Sequence, residues 1–328
     1  MAYAFVGVGL LLLIVGGEVV LRGGVGLSRA LGLSPLLIGL MVIAAGTSAP
    51  ELAVSVTGAA HDAPDIAIGN VVGSNIVNIL LILGIGALIR PIPAPPKVVW
   101  RDGFFLLLAS VALAVVALCG AITRPVAYAF LGAFAVFLLV SFFTDWRRSS
   151  HNCGNETRAM ARLDGRAPHA GRSLFLLVVG LIALYFGGRT VLDGSVSIAR
   201  IHHVPEAVIA LTVIAVGTSL PELVTTLIGS ARGQSNLVMG NLIGSNIFNI
   251  LFVLGVAALV HPLAVSPMLA HADLPAMVAA AVALLAMLTV GWRLSRGQGL
   301  LLLMGFAAYV VFLAWRQGYI PAHPFGLF

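Results

Sequence analysis

The sequence predicts an all-α membrane protein of ten transmembrane helices, arranged as two inverted five-helix repeats with broken helices 2 and 7 at the centre. Three observations carry that expectation. The 328 residues are 60% hydrophobic and 9% charged, with a mean hydropathy of +1.07, a balance that in water would leave a large apolar surface exposed. Runs of about 20 apolar residues, enough to cross a hydrocarbon core of roughly 30 Å as helix, recur about ten times. A polar motif occurs twice at a constant offset.

The runs fall near 3–22, 35–60, 65–89, 103–122, 125–143, 173–193, 205–231, 236–260, 271–291 and 299–316. Helices are required because lipid offers the backbone no hydrogen-bond partners, and the alternating pattern of a barrel strand is absent. The first run has no basic n-region and continues into Glu18 and Arg22, so it reads as a retained helix. Three parts follow: a first repeat over 1–144 (helices 1–5), a cytoplasmic linker over 145–172, and a second repeat over 173–328 (helices 6–10). With both termini outside, 14 of the 18 Lys and Arg residues fall on the cytoplasmic side, which satisfies the positive-inside rule. The net charge of +6 is thus sorted by membrane side, and no basic face for nucleic acid is expected. Cys119 and Cys153, in a predicted helix and a predicted loop, suggest neither a disulfide nor a metal cluster.

The motif runs from Gly46 to Gly84 and again from Gly217 to Gly255, without a gap. Glu222 stands at the same offset from Glu51 as Gly217 does from Gly46, and GTS, PE, GN and GSN all recur at that offset. Five helices per half is an odd number, so the second half enters the membrane from the opposite side. Such inverted halves let one central site face either side in turn, which points to transport.

Glu51 and Glu222 are the two acids expected near the middle of an apolar helix, and they are repeat mates. A carboxylate at that depth costs about 3 kcal/mol on lenient scales and needs a partner. No Lys or Arg is expected there, so a bound cation is the simplest partner for two like charges. Thr47, Ser48, Thr218 and Ser219 add oxygens one turn before each Glu, a donor set suited to hard cations such as Ca2+ or Na+. Pro50 and Pro221 donate no backbone hydrogen bond, so each helix should break there and free carbonyls from about Ala44 to Thr47 and Ala215 to Thr218. In the next helix of each half, Gly69, Gly73, Gly240 and Gly244 should allow close contact. Asn70, Asn75, Asn78, Asn241, Asn246 and Asn249, with Ser74 and Ser245, serve either as interhelical glue or as ligands.

These segments resemble the α-repeats of the sodium/calcium exchanger family, of prokaryotic type, within the cation/calcium antiporter superfamily. The resemblance covers both repeats, and the ten-span layout extends it over the chain. It implies secondary antiport of Ca2+ for Na+ by alternating access, with helices 1 and 6 sliding over a fixed core in the plasma (inner) membrane. Carried over by position, the Ca2+ ligands are Glu51, Glu222 and the carbonyls of Thr47 and Thr218. Na+ sites add Ser48, Ser74, Asn78, Ser219, Ser245 and the carbonyls of Ala44 and Ala215. Asn249 departs from the pattern, since several members of the family carry Asp there. The acid of the proton-coupled branch is missing at Gly73 and Gly244, which favours Na+ as counter-ion.

The remaining features weigh less. Glu18 and Arg22 are spaced i, i+4, and their mates Arg189 and Asp193 repeat the pair with charges exchanged, either as plain intrahelical pairs or as rim contacts that stabilise the end states. The linker is too short for a regulatory domain. Asn155 opens an idle sequon, and His202 and His203 are assigned nothing. Membrane lipid is the expected surrounding, with no cofactor and no obligatory protein partner. The rivals are a Ca2+/H+ exchanger, a membrane-embedded metal-dependent hydrolase and a passive channel.

Overall fold

The computed structural model describes residues 2–164, 169–202 and 215–316 of the chain. The stretch 205–214, expected to open helix 7, and His203 lie outside them. The described helices are α1 (Ala2–Leu31), α2 (Pro35–Thr47), α3 (Ala49–Ala60), α4 (Pro64–Ile89), α5 (Pro96–Leu118), α6 (Arg124–Asp164), α7 (Ala170–Ile201), α8 (Ala215–Gly217), α9 (Leu220–Ala231), α10 (Ser235–Val260), α11 (Leu269–Thr289) and α12 (Arg296–Arg316). Among the described residues eight helices are long and apolar enough to cross a membrane, and nine when the bent pair α2 and α3 counts as one span. The chain is an all-helical, multi-pass membrane protein.

Three helices end differently from the sequence expectation. α1 continues past Arg22, because that arginine is tied to Glu18 at 2.6 Å and does not stop the helix. It ends at Leu31, followed by Gly32 at φ +66° and by Pro35, both of which suit a helix exit. α7 begins before the expected Ser173 and runs past the expected Asp193 to Ile201. α6 runs on through Asp164, so 145–164 of the expected linker is helical.

Membrane helices gain little from burying apolar surface against each other, because lipid is equally apolar; close packing and polar links decide instead. The antiparallel pair α1 and α7 illustrates the first. Gly9, Gly16 and Gly23 of α1 and their mates Gly180, Gly187 and Gly194 of α7 recur at heptad spacing, and the backbones touch along this seam. A Cβ at Gly16 would stand 3.0 Å from the Gly180 carbonyl, and one at Gly187 3.0 Å from that of Gly9. Leu13, Val20, Leu177 and Leu184 fill the flanks.

The motif helices α4 and α10 form the centre, with 67% and 78% of their most apolar stretches buried against 11% for the peripheral α12. Their contact is itself symmetric: Ile76, Ile79 and Leu83 and the mates Ile247, Ile250 and Leu254 share one core. Gly240 and Gly244 let the α2 backbone at Leu36–Leu40 approach α10, as expected. At Gly69 and Gly73 nothing described lies within 4 Å of a Cβ built there, so the expected contact falls outside the described residues. The segment equivalent to Leu36–Leu40 is in 205–214. Two short antiparallel pairings, Ile92–Pro93 with Arg293–Leu294 and Ala121–Ile122 with Leu263–Ala264, tie the halves together at the helix ends.

Candidate functional site

The two glutamates owe their position to the proline that precedes each. Ser48 leaves helical geometry at φ −85°, ψ 11°, and α2 meets α3 at 46°. Pro50, in the first turn of α3, lacks the N–H that would bond to Gly46 one turn back. That corrects the expectation for Ala44, whose carbonyl accepts from the Ser48 amide at 3.0 Å and from Thr47 Oγ1 at 3.4 Å and is therefore not left bare. Ser219, at φ −88°, ψ 12°, and Pro221 repeat the geometry at the start of α9. Glu51 and Glu222 thus sit in first turns, where the helix dipole favours a negative charge.

Both carboxyls are fully buried. Their hydrogen bonds cross between the halves: Ser48 Oγ donates to Glu222 Oε1 at 3.0 Å, and Ser219 Oγ donates to Glu51 Oε1 at 3.2 Å. Each carboxyl also receives a hydroxyl from the next helix of its own half, Ser74 on Glu51 and Ser245 on Glu222, both at 3.3 Å. The serine one turn before each Glu therefore serves the other repeat's acid, which brings the two carboxyls to one place. Among the described residues no Lys or Arg forms an ion pair with either.

All four of those bonds reach Oε1. Glu51 Oε2 and Glu222 Oε2 are buried without a hydrogen-bond partner, as are Thr218 Oγ1, both polar atoms of Asn78, and the amide oxygens of Asn246 and Asn249. An unsatisfied buried polar atom costs about 1–3 kcal/mol, more when charged, so a cluster of orphan oxygens has a chemical purpose. Carboxylate, hydroxyl and amide oxygens without thiol or imidazole suit a hard cation carrying up to two charges.

The asparagines divide as the sequence left open. Asn70 Nδ2 holds the Glu51 carbonyl at 3.1 Å and Ser55 Oγ at 3.0 Å, tying α4 to α3. Asn241 Nδ2 reaches Thr225 Oγ1 at 3.2 Å, while its Oδ1 accepts from Thr47 Oγ1 at 3.2 Å. Asn75 bonds the Asn246 carbonyl at 3.3 Å and accepts from Asn249 Nδ2 at 3.4 Å across the pseudo-symmetry axis. Asn70, Asn75 and Asn241 act as glue, and Asn78 and Asn249 keep buried oxygens bare. Ala215 opens α8, and its side chain is not among those described.

Sequence reasoning missed a second pair of buried acids, Asp102 and Asp273, which stand at the same offset as the two glutamates. Both oxygens of Asp102 take the Arg101 guanidinium at 2.6 and 2.9 Å. Asp273 takes Arg316 at 3.0 and 3.1 Å and the Tyr309 hydroxyl at 3.0 Å. The signal was present in the constant offset, but both positions sit at predicted helix ends, and Asp102 has Arg101 beside it.

The sequence profile described as sodium/calcium exchanger protein matches residues 1–143 and 172–315. The chain belongs to the sodium/calcium exchanger family. Sodium/calcium exchanger MaX1 of Methanosarcina acetivorans is 32% identical over 339 residues, covering 93% of this chain and 96% of its own. Inner membrane protein YrbG of Escherichia coli (strain K12) is 36% identical over 327 residues, covering 96% and 97%. The sodium-calcium exchanger NCX_Mj, solved after soaking with 100 mM Na+ and 10 mM Sr2+, superimposes with a TM-score of 0.81 at 30% identity, covering 95% of this chain and 97% of that one. This member of the exchanger family is accordingly a transporter of the antiporter type and not an enzyme.

Proposed function

We propose that this exchanger moves Ca2+ in one direction and Na+ in the other by alternating access, through ten spans built as two inverted five-helix repeats. In this reading α2 and α3 form one broken central helix, and α8 and α9 belong to its repeat mate. The observation that carries it is the pair of buried carboxyls, one per repeat, each bonded through Oε1 to serines of both repeats and each keeping Oε2 bare. Two negative charges match one divalent cation, which Glu51 and Glu222 would hold together with the carbonyls of Thr47 and Thr218. Ser48, Ser74, Asn78, Ser219, Ser245 and Asn249, with the carbonyl of Ala215, would complete the shells of Na+. A serine hydroxyl donates to a carboxylate while its lone pairs accept a cation, so the same oxygens serve either ion and the two compete. That competition makes the exchange obligatory.

The names of MaX1 and NCX_Mj favour Na+ as the counter-ion, and that of YrbG favours the inner membrane. The basic-residue count puts both termini outside and 145–172 in the cytoplasm. The nearest rival is Ca2+/H+ exchange on the same two carboxyls. The deciding experiment loads proteoliposomes with Na+ and follows 45Ca2+ uptake: an outward Na+ gradient at equal pH should drive it. Uptake driven by a pH gradient alone would replace Na+ by H+ in the reading, and uptake at unchanged apparent Ca2+ affinity in Glu51→Gln or Glu222→Gln would overturn the site.

A further inference from the structure

The two faces of the molecule are not in the same state, although their residues correspond one to one. On the face that carries Arg22 and Arg232, α1 is pressed against α9. A Cβ at Gly17 would stand 2.9 Å from Ile228 Cδ1 and 3.0 Å from Val224 Cγ1, so no space remains between the helices. Glu18 of α1 reaches Arg232 at the end of α9 at 2.7 Å, besides its bond to Arg22 on its own helix. Deeper in, Thr47 donates to Asn241 of α10.

The opposite face holds the repeat mates of all these groups and, among the described residues, shows none of the contacts between helices. A cleft of about 600 Å3 lies there between α7 and α3, lined by Gly188, Arg189, Ala53, Thr57 and His61, the mates of Gly17, Glu18, Val224, Ile228 and Arg232. A Cβ at Gly188 would stand 3.5 Å from Pro221, its nearest described neighbour, in ordinary contact. Thr218, the mate of Thr47, lines the cleft, and its hydroxyl has no partner, whereas Thr47 is bonded to Asn241. The cleft leads from the surface to Pro50 and Thr218, next to the carboxyls.

From this we infer that the Glu18–Arg232 ion pair and the Thr47–Asn241 hydrogen bond are a two-tier lock that holds one face of the exchanger shut, and that the chain rests open toward His61. The inference builds on the alternating-access reading. The glycine seam joins α1 to α7, so closing α1 on α9 carries α7 away from α3, and the two closures oppose each other. The sequence makes the two closures unequal. Closing the other face would set Gly188 against Ala53 and Thr57 in place of Val224 and Ile228, with less apolar contact. It would also set Arg189 against His61, which cannot form the ion pair that Glu18 and Arg232 form.

The test is side-chain accessibility of the full chain in nanodiscs, where reagent reaches both faces, in a background with Cys119 and Cys153 replaced by Ser. Single reporters, Ala53→Cys in the cleft and Val224→Cys on the sealed face, are labelled with a charged maleimide. The parent should label faster at 53 than at 224. Arg232→Gln and Glu18→Gln should each lower the rate at 53 and raise it at 224 by about 3-fold, the modest effect of a partly exposed pair. Arg22→Gln removes only the intrahelical partner and should change neither. Rates indifferent to Arg232→Gln, an Arg22→Gln effect equal to it, or a parent that labels faster at 224 would each overturn the lock. Na+-driven Ca2+ uptake is read separately: its absence in the unaltered chain sinks the functional reading, while normal uptake with unmoved labelling sinks the lock alone.

Discussion

Two pairs of repeat-related acids are buried in this bundle, and they are neutralised in opposite ways. Asp102 and Asp273 each meet an arginine through both oxygens, so their charge is cancelled permanently within the protein. Glu51 and Glu222 meet hydroxyls alone, which orient a carboxyl without cancelling it, and each keeps one oxygen bare. A fixed countercharge makes a buried acid part of the scaffold, and a missing one makes it a site for a charge that comes and goes. The pairs also differ in symmetry. The glutamates have matching partners in both halves, whereas the arginine comes from the neighbouring residue in one half and from the end of α12 in the other. Cargo seen from either side requires equivalent chemistry from both repeats; a structural charge requires only that some cation be near.

The comparison can be broken most directly at Asp273. Arg316→Gln leaves a buried, unpaired carboxylate and should cost about 3–5 kcal/mol of stability, read as a large fall in thermal midpoint of the purified protein. Asp273→Asn in the same chain should recover most of it. An Arg316→Gln protein as stable as the parent would show that Asp273 is not held by its countercharge. At the other pair, Glu51→Gln should leave the midpoint near that of the parent while lowering apparent Ca2+ affinity about 100-fold, the effect of about 3 kcal/mol from a lost buried charge, measured by 45Ca2+ uptake against concentration. A fall in stability without a fall in affinity would put Glu51 in the scaffold class. Smaller still is Ser219→Ala, which removes the hydroxyl that crosses to Glu51. Loss of a hydrogen bond to a charged group is worth about 1.5 kcal/mol, or roughly tenfold in affinity, and Ser48→Ala should match it by symmetry. Least of all is Arg189→Gln: the pair with Asp193 is 4.0 Å apart and exposed, so stability should move by less than about 0.5 kcal/mol.

Much of this was legible before any coordinates, because the physics of lipid makes certain residues conspicuous. Glu51 and Glu222 stand out in apolar helices, and the offset between them pairs them with each other and with their serines and asparagines. Nine of the ten apolar runs were equally plain as helices among the described residues, since each span needs its own apolar run. Helix ends were not. Arg22 reads as a membrane-edge residue, yet its bond to Glu18, and that of Glu18 to Arg232, let α1 run on to Leu31. The consequence of each proline was readable in kind but not in detail, because which carbonyl is bared depends on where Ser48 turns, and Ala44 kept its bonds.

The residues alone therefore determined the membrane class, the twofold repetition, and the identity of the two acids, since these follow from local composition and from spacing along the chain. Only the tertiary structure decided that Ser48 and Ser219 each serve the other repeat's glutamate, that Asp102 and Asp273 are paired scaffold charges, and that one face is sealed while its counterpart is open. Each of those facts depends on distance through space between groups whose separation along the chain says nothing of whether they meet. The residues at the two closures differ in sequence, but which of them meet, and which face is shut, appears only once α1 and α7 take a definite position against the core.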